Sequence, residues 1–297
     1  SIMWPTGKPE ACPHCGVVDN AVKLEGIRTK PSKKNPEGKV RYGLWRCKAC
    51  RGQFTVRKGT IFEESHIEMF KWLQAIHLMT SAKKGISAHQ MHRILEVTYK
   101  TAWFLCHRIR EAMRTDHTGL MGSGGGTVEA DETFFGIDPD YDGPRTVYHH
   151  KMKVLSLVDR DTGQARNFVI DSLRRDEIEP IIQANVAREA HLMTDEARHY
   201  IGIGEGFAAH DSVNHKAGEY GRGDVHTNTV EGYYSIFKRG MKGVYQHCGK
   251  QHLHRYAAEF EFRYNNRIAN GVDDTARAGQ VLEGVSGKRL TYQGPLR

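Results

Sequence analysis

Between residues 65 and 114, apolar positions recur every three or four residues, a spacing that predicts helices. The first helix ends at Gly85, and its apolar stripe consists of Ile67, Phe70, Leu73, Ile76 and Met79. A short helix over 86–95, with Ser87 as its N-cap, is followed by a turn at 96–97 and a longer basic helix over 98–114. This order is typical of a helix-turn-helix, although a plain helical bundle has the same pattern.

Beyond a Gly-rich segment at 119–126, which we expect to be a flexible linker, the pattern changes to that of a sheet with helices. Alternating or continuous apolar runs predict four strands, over 127–135, 151–159, 164–170 and 191–194. Amphipathic spacing predicts three helices, over 174–189, 228–238 and 251–268. Three strands followed by helix, strand and helices indicate a mixed α/β fold with helices on the faces of the sheet.

Two C-x-x-C pairs lie near the start of the chain: Cys12 with Cys15, and Cys47 with Cys50. Short strand-like runs over 41–46 and 53–57 surround the second pair. Because two thiolates three positions apart on a tight turn can hold one ion, the pairs predict a structural four-cysteine zinc ribbon. A redox C-x-x-C is the alternative, but two copies separated by 31 residues do not fit that motif. Cys106 and Cys248 are solitary, and we expect ordinary thiols there.

Charge is divided unevenly along the chain. Residues 1–120 contain 21 Lys and Arg against 10 Asp and Glu, whereas residues 121–297 contain 22 against 25. A basic first part indicates a module that holds a polyanion such as DNA, although a solvated basic surface would have the same balance. The basic candidates for DNA contacts are Lys33 and Lys34 in a loop and Lys100, Arg108 and Arg110 in the third helix.

Composition narrows the class further. The 297 residues are 39% hydrophobic, which excludes wholesale disorder. No run approaches the roughly 18 apolar residues of a membrane span, and the first eight residues lack the apolar stretch of a signal peptide. We therefore expect a cytoplasmic protein with no membrane partner.

Acidic residues are candidates for metal chemistry. Alternation places Glu129 and Asp131 on one face of the strand over 127–135 and Glu132 on the other. Asp195 directly follows a strand, where ligands gather in α/β sheets. Spacing alone does not choose Asp131 over its two neighbours or Asp195 over Glu196, and any one of these acids could be merely solvated.

A further acid lies on the helix over 228–238. Asn228 and Glu231 are three positions apart on one face, and Lys238 returns to that face two turns after Glu231. A carboxylate and a cation therefore lie on the same face of this helix. A surface Glu and Lys on an ordinary helix are the alternative.

Together these segments resemble the DDE signature of zinc-ribbon insertion-sequence transposases of the ISXO-two class, which are related to eukaryotic Merlin elements. The resemblance covers nearly the whole chain, and the combination is far more specific than any single motif. The matching segments are Cys12-Pro-His-Cys15, Leu44-Trp45-Arg-Cys47-Lys-Ala-Cys50, Lys83-Lys84-Gly85-Ile86-Ser87, Glu-Ala-Asp131-Glu-Thr-Phe, Met-Thr-Asp195-Glu, Asn228-Thr-Val-Glu231 through Lys238-Arg-Gly, and Arg255-Tyr256 through Asn265.

The resemblance implies a ribonuclease-H-like mixed sheet with flanking helices, preceded by a zinc ribbon and a helix-turn-helix module. The implied organisation is a zinc ribbon over 1–62, a helix-turn-helix domain over 63–118, a linker over 119–126 and a DDE transposase domain over 127–297. Asp131, Asp195 and Glu231 would bind Mg²⁺ or Mn²⁺, and Lys238 would contact a phosphate. Some relatives place Asn where this helix carries an acid, so Asn228 is a lesser candidate.

The implied activity is DNA transposition in the nucleoid of a bacterial cytoplasm. Metal-assisted hydrolysis would nick the terminal inverted repeats of the element, and the freed 3′-hydroxyl would join target DNA without a covalent protein–DNA intermediate. Since two ends are processed together, we expect a homodimer or larger assembly on double-stranded DNA. No nucleotide cofactor is expected, because the chain lacks a G-x-x-x-x-G-K-[ST] loop. The alternatives are a non-catalytic DNA-binding regulator derived from a transposase and a nuclease that cleaves without joining.

Overall fold

The computed structural model describes residues 4–33, 35–145, 148–219 and 221–291. It begins with a small antiparallel sheet of three strands in sequential order: β1 (Ala21–Leu24), β2 (Leu44–Cys47) and β3 (Gln53–Phe54). Its core consists of four buried side chains, those of Cys12, Trp45, Cys47 and Phe54. Because so small a core buries little apolar surface, this sheet depends on a further constraint to be stable.

Three helices follow: α1 (Met69–Ser81), α2 (Ala88–Leu95) and α3 (Tyr99–Met113). The hydroxyl oxygen of Ser87 accepts from the Gln90 amide at 3.1 Å, and that of Thr98 accepts from the Thr101 amide at 3.2 Å. Each hydroxyl satisfies an amide that the first turn of a helix leaves unpaired. The predicted short helix, turn and longer helix are therefore present at the predicted positions.

The apolar stripe predicted for the first helix is partly wrong. Ile76 and Met79 are buried, but Phe70 is 60% exposed and Leu73 is 46% exposed. Residues spaced strictly by three fall behind the helical repeat by about 60° at each step, so the five positions cannot share one face. The face that packs on α3 includes Trp72 and Ala75 instead.

The central sheet has five strands in the order β6-β5-β4-β7-β8. The strands are β4 (Thr127–Phe135), β5 (Met152–Asp159), β6 (Ala165–Ile170), β7 (His191–Asp195) and β8 (Ala209–Val213). The first three pair antiparallel, and β4, β7 and β8 run parallel. This order and these directions are those of a ribonuclease-H-like sheet, so the fold class expected from the resemblance is confirmed. The polar edge strand β8 was not predicted.

Helices cover both faces of this sheet. Val128 and Ala130 of β4 pack in one core with α4 (Arg175–Asn185). The opposite face packs against α5 (Asn228–Gly240) and α6 (Lys250–Asn265). The period-two alternation of β4 thus directs Glu129 and Asp131 towards α5.

Two segments depart from the predicted organisation. The last helix, α7 (Asp274–Glu283), was not predicted, and its Val281 joins the core formed by α1, α2 and α3. The Gly-rich segment at 119–126 is packed rather than free: Met121 is buried and bridges to Val186. In addition, the Gly122 amide donates to Asp159 Oδ2 at 2.9 Å. The Gly-rich segment therefore packs on the predicted catalytic unit, and the last helix of that unit packs on α1, α2 and α3.

In the described parts of the chain, we find no helix with the length and apolar character needed to cross a membrane.

Candidate active site and zinc cluster

The four paired cysteines converge on one point in the small N-terminal sheet. Cys12 Sγ lies 3.7 Å from Cys50 Sγ, Cys15 Sγ lies 3.7 Å from Cys47 Sγ, and all four sulfurs lie within 4.8 Å of one another. Tetrahedral zinc with bonds of about 2.3 Å requires sulfur separations of about 3.8 Å. None of the four forms a disulfide. The predicted cluster is present, and both its donors and its dimensions fit structural zinc.

The two solitary cysteines lie elsewhere. Cys106 is buried in the core of α1, α2 and α3, and Cys248 is half-buried beside Gly249. Burial raises the pKa of Cys106 to about 11 and that of Cys248 to about 12. Both are therefore protonated at neutral pH, which suits the ordinary thiols that were predicted.

A cavity of about 390 Å³ opens at the carboxyl edge of the central sheet. β4 and β7 pair in a register that sets Glu129 opposite Met193, and two residues further along each strand stand Asp131 and Asp195. Glu231 enters from the first turn of α5. The full lining is Asp131, Asp195, His215, Glu231, Tyr234, Ser235 and Lys238. The structure thus brings together all four residues that the sequence proposed for catalysis.

Sequence reasoning missed three lining residues: Tyr234, His215 and Ser235. Tyr234 follows Glu231 by one turn of α5, and its hydroxyl donates to the backbone oxygen of Asp131. His215 Nε2 lies 3.5 Å from Glu231 Oε1. The spacing of three residues on a helix could have pointed to Tyr234. No sequence signal pointed to His215, because it comes from a separate loop.

The electrostatics of the cavity disfavour ionised acids. Burial raises the pKa of Asp131 well above its ordinary value, and the charges of Glu132, Asp195 and Glu231 raise it further. Burial also raises the pKa of Asp195, in spite of the hydrogen bond from the Ala197 amide. Within the described residues, neither aspartate has an ion-pair partner within 4 Å. The cavity therefore holds two aspartates whose ionised forms have no cationic partner within 4 Å in the described part of the chain.

The acids that spacing could not exclude have other partners. Buried Glu129 accepts from the Val230 amide at 2.8 Å and from Arg160 Nε at 2.5 Å, which ties the start of α5 to the sheet. Glu132 Oε1 lies 3.0 Å from His199 Nε2 and also accepts from the Tyr200 hydroxyl.

Two further candidates also lie outside the cavity lining. Glu196 accepts from the His215 and Lys216 amides at 3.0 Å and 3.3 Å. Asn228 is exposed at the first position of α5 and does not line the cavity.

The carboxylates are more widely spaced than the thiolates. Among the described residues, only the four cysteines bring three or more metal-ligating atoms within 4.8 Å of one another. The acids instead surround a space that opens to solvent, and the side chain of Glu231 is 48% exposed. This spacing leaves room for a substrate group beside any bound cation.

The basic candidates for DNA contacts differ in accessibility. Lys33 and Lys100 are exposed. Lys34 lies outside the described residues. Arg108 is only 6% exposed and donates to the backbone oxygen of Glu63 at 2.6 Å. It therefore cannot reach a phosphate from this position, contrary to our expectation.

Arg110 is also misplaced for the predicted role. It is 2% exposed, and its Nε lies 2.7 Å from Glu259 Oε2 of α6. Its guanidinium also stacks over the ring of Tyr256, 4.0 Å from the ring centroid. Arg110 thus joins α3 to α6 through a buried ion pair, and its prediction as a DNA contact is wrong for this arrangement.

Comparison with known proteins agrees with this geometry. Residues 124–265 match the family model described as the ISXO2-like transposase domain. A curated protein of Halobacterium salinarum, described as an uncharacterized protein in transposable element ISH50, is 28% identical over 248 residues, covering 76% of this chain and 82% of that protein.

Among solved structures, a chain of the simian T-cell lymphotropic virus intasome in complex with PP2A regulatory subunit B56 gamma is similar at 11% identity and a TM-score of 0.30. The match covers 64% of this chain and 65% of that chain, just under two thirds of its length. So low a score supports no argument about this chain. The family match is different, because it spans all five strands of the central sheet and the three acids of the cavity. Residues 124–265 are therefore similar to the ISXO2-like transposase domain over the part of the chain that carries the central sheet and the cavity.

Proposed function

We propose that the chain is a metal-dependent DNA transposase that nicks the ends of its element and joins the freed 3′-hydroxyl to target DNA. The observation that carries this proposal is the single cavity at which Asp131, Asp195, Glu231 and Lys238 meet. The transposase domain match and the ISH50 relative support the same class of activity.

The donor set suits a divalent cation. Carboxylate oxygens are hard ligands that match Mg²⁺ or Mn²⁺. Two aspartates with raised pKa values and no ion-pair partner within 4 Å among the described residues would be stabilised by such a cation. A metal bound there would lower the pKa of the attacking water or 3′-hydroxyl and stabilise the leaving oxygen. Asp131, Asp195 and Glu231 are the residues that would hold it.

The remaining residues of the cavity position these groups. Lys238 is exposed, lies two turns after Glu231 on α5 and lines the cavity, where its ammonium can neutralise a phosphate beside the scissile bond. The Tyr234 hydroxyl holds the backbone of Asp131, and the Thr227 hydroxyl donates to Glu231 Oε1 at 3.2 Å. The acids are thereby fixed on a rigid sheet and helix before DNA binds.

DNA would be held by the basic first part of the chain, with Lys33, Lys34 and Lys100 as candidate contacts. This proposal has three further parts. The helices α2 and α3 act as a helix-turn-helix, the protein acts in the bacterial nucleoid, and it assembles as a homodimer or larger complex on paired ends. Light scattering of the protein with end DNA would measure the number of chains in the complex, and a single chain would contradict the assembly.

A strand-transfer assay tests the reaction. Labelled duplexes carrying the ends of the element are incubated with the full chain, a target plasmid and Mg²⁺, and we expect nicked ends and joined products. Glu231→Gln is the inactive control, and Ser235→Ala, which alters the same cavity without removing charge, is its matched comparison. Nicking without joining would favour a nuclease of this fold, and binding without nicking would favour a non-catalytic regulator.

A further inference from the structure

A separate cavity of about 700 Å³ lies between α3 and α6. From α3 come Tyr99, Trp103 and His107, which are spaced four residues apart and so follow one stripe of the helix. From α6 come His252 and Arg255. The rings of Trp103 and His252 stand nearly perpendicular at 5.2 Å between centroids. Aromatic rings from both helices therefore face this cavity.

His107 gives the cavity an unusual polar group. The residue is 0% exposed, and neither of its ring nitrogens has a hydrogen-bond partner among the described residues. Burial, with the nearby charges of Arg110 and Arg255, lowers its pKa to about 2, so the ring is neutral and offers one donor and one acceptor. Buried polar groups are usually paired, and leaving one unpaired is costly. The rings of Trp103 and His252 pack against His107, 4.1 Å and 4.8 Å between centroids, so a ligand with donors and acceptors on a flat edge would satisfy it once one of these rings turns aside.

Charge around the cavity suits an anion attached to such a ligand. Lys100 and Arg289 also line it, and of the two arginines Arg289 pairs with Glu64 and Arg255 pairs with Glu111. Arg255 donates from Nη1 to His252 Nδ1 at 2.8 Å, which fixes the imidazole in place and leaves the proton of a neutral ring on Nε2. These groups match the three parts of a nucleotide. The aromatic faces can stack on the plane of a base, the neutral imidazoles can hydrogen-bond to its edge, and lysine or arginine can bind its phosphate.

The position of the cavity connects it to the acids. A third cavity, of about 640 Å³, shares Tyr99, Trp103 and His252 with it and extends to Phe135 and Gly136 at the end of β4. Asp131 precedes Phe135 by four residues on the same strand, a distance of about 13 Å. A DNA strand lying along this surface could therefore place one nucleotide in the aromatic cavity and a phosphate near the acids.

We propose that the cavity between α3 and α6 binds an unpaired nucleotide of the DNA strand being processed, with its base stacked on Trp103, its edge facing His107 and its phosphate near Lys100. This inference rests on the proposed function and adds to it a site for single-stranded DNA. Stacking tolerates any base, so the site selects unpaired DNA rather than a sequence.

The test compares two fluorescent probes on the full chain: a mixed-sequence duplex with a short single-stranded 3′ extension and the same duplex with blunt ends. We expect the extended probe to bind about tenfold more tightly, as one base stack provides. Trp103→Leu should abolish the preference, Trp103→Phe should retain most of it, and Phe70→Leu, at an exposed aromatic of α1, should not change it. Equal affinity for both probes, or a preference that survives Trp103→Leu, would overturn the proposal.

Fluorescence supplies a second reading that does not depend on the folding of Trp103→Leu. The extended probe should quench the tryptophan emission of the wild-type chain, and Trp103→Phe should lose that quenching; quenching that persists in Trp103→Phe contradicts the site. Strand transfer is scored separately on the same preparations. If the protein joins ends but does not prefer the extended probe, the proposed nucleotide site is wrong and the proposed transposase activity stands. If it prefers the extended probe but joins no ends, the proposed transposase activity is wrong and the nucleotide site stands.

Discussion

The thiolate cluster and the carboxylate cavity are both candidate metal sites, yet their geometries are opposite. The sulfurs of the cluster already stand at the separations of a closed tetrahedron, and two of the four cysteines are buried in the core of the small sheet. The acids of the cavity stand apart, and the aspartates carry raised pKa values. A closed ligand set suits a structural ion, whereas an open one suits a metal that acts on a substrate.

The hydrophobic core around the cluster is also much smaller than the core around the cavity. The ribbon has a core of four buried side chains, so its ion would supply much of its folding free energy. The acids are carried by a sheet with an extensive core on each face. We infer that the ribbon requires its metal to fold, while the central sheet folds without one in spite of the repulsion between its acids.

The largest effect is expected from removing a thiolate. Cys47→Ser should release zinc and unfold the ribbon up to about residue 62, because zinc binding contributes about 10–16 kcal/mol in comparable small domains. The central sheet should stay folded. Metal analysis and hydrogen exchange measure both results, with Cys248→Ser as the control. One zinc per chain retained in Cys47→Ser, with normal end affinity, would refute the structural role.

Removing a carboxylate should affect the reaction rather than the fold. Glu231→Gln keeps the size of the side chain but loses its charge, so nicking and joining should slow by roughly 10² to 10³ or more while end binding stays nearly intact. Asn228→Ala should cost much less, since Asn228 does not line the cavity. Rates of end nicking in Mg²⁺ measure both. If Glu231→Gln is active and Asn228→Ala is inactive, the third metal ligand is Asn228 rather than Glu231.

The two sites also differ in what the sequence could predict. The cysteine spacing alone predicted a cluster, because both halves of each pair lie on one turn. Asp131, Asp195 and Glu231 come from three elements, and only the family resemblance selected them from their acidic neighbours. The structure adds a physical distinction, because Glu129 and Glu132 are engaged by Arg160 and by His199.

Long-range packing explains the errors. Arg110 on the basic helix α3 looked available for DNA, but its partner Glu259 lies 149 residues away on α6. The local sequence around either residue cannot predict a contact over that separation. The edge strand β8 was missed because the run Ala-His-Asp-Ser-Val has too few apolar residues to indicate a strand. The α7 helix completes the core of α1, α2 and α3 from the far end of the chain.

Removing a metal ligand should change the stability of the metal-free protein in opposite directions at the two sites, and the change at the carboxylate cavity should be the smaller one. The raised pKa of Asp131 means that the folded chain binds more protons than the unfolded chain, so this group's contribution to stability falls as pH rises from its unfolded pKa through its folded one. Asp131→Asn should therefore stabilise the metal-free protein at neutral pH by about 0.5–2 kcal/mol, unlike any cysteine substitution in the cluster.

Thermal unfolding in EDTA checks this prediction across pH. The gain should vanish below about pH 4, where the aspartate is protonated in both states. Added Mg²⁺ should raise the Tm of the wild-type chain more than that of Asp131→Asn. A variant less stable than wild type at neutral pH without metal would show that the acids are not in mutual repulsion.

The smallest expected effect on DNA binding distinguishes two cations of α3. Exposed Lys100 should release about one counterion on binding DNA, so Lys100→Ala should flatten the log–log dependence of end affinity on salt by about 0.9. Arg108→Gln should leave that slope unchanged, because Arg108 is buried against the Glu63 carbonyl, and should instead lower the free energy of unfolding by about 1–3 kcal/mol. Titrations of end DNA at several salt concentrations, paired with urea denaturation, measure both quantities. A flattened slope for Arg108→Gln would mean that α3 rearranges on DNA to expose this side chain, and an unchanged slope for Lys100→Ala would place the DNA-binding face elsewhere.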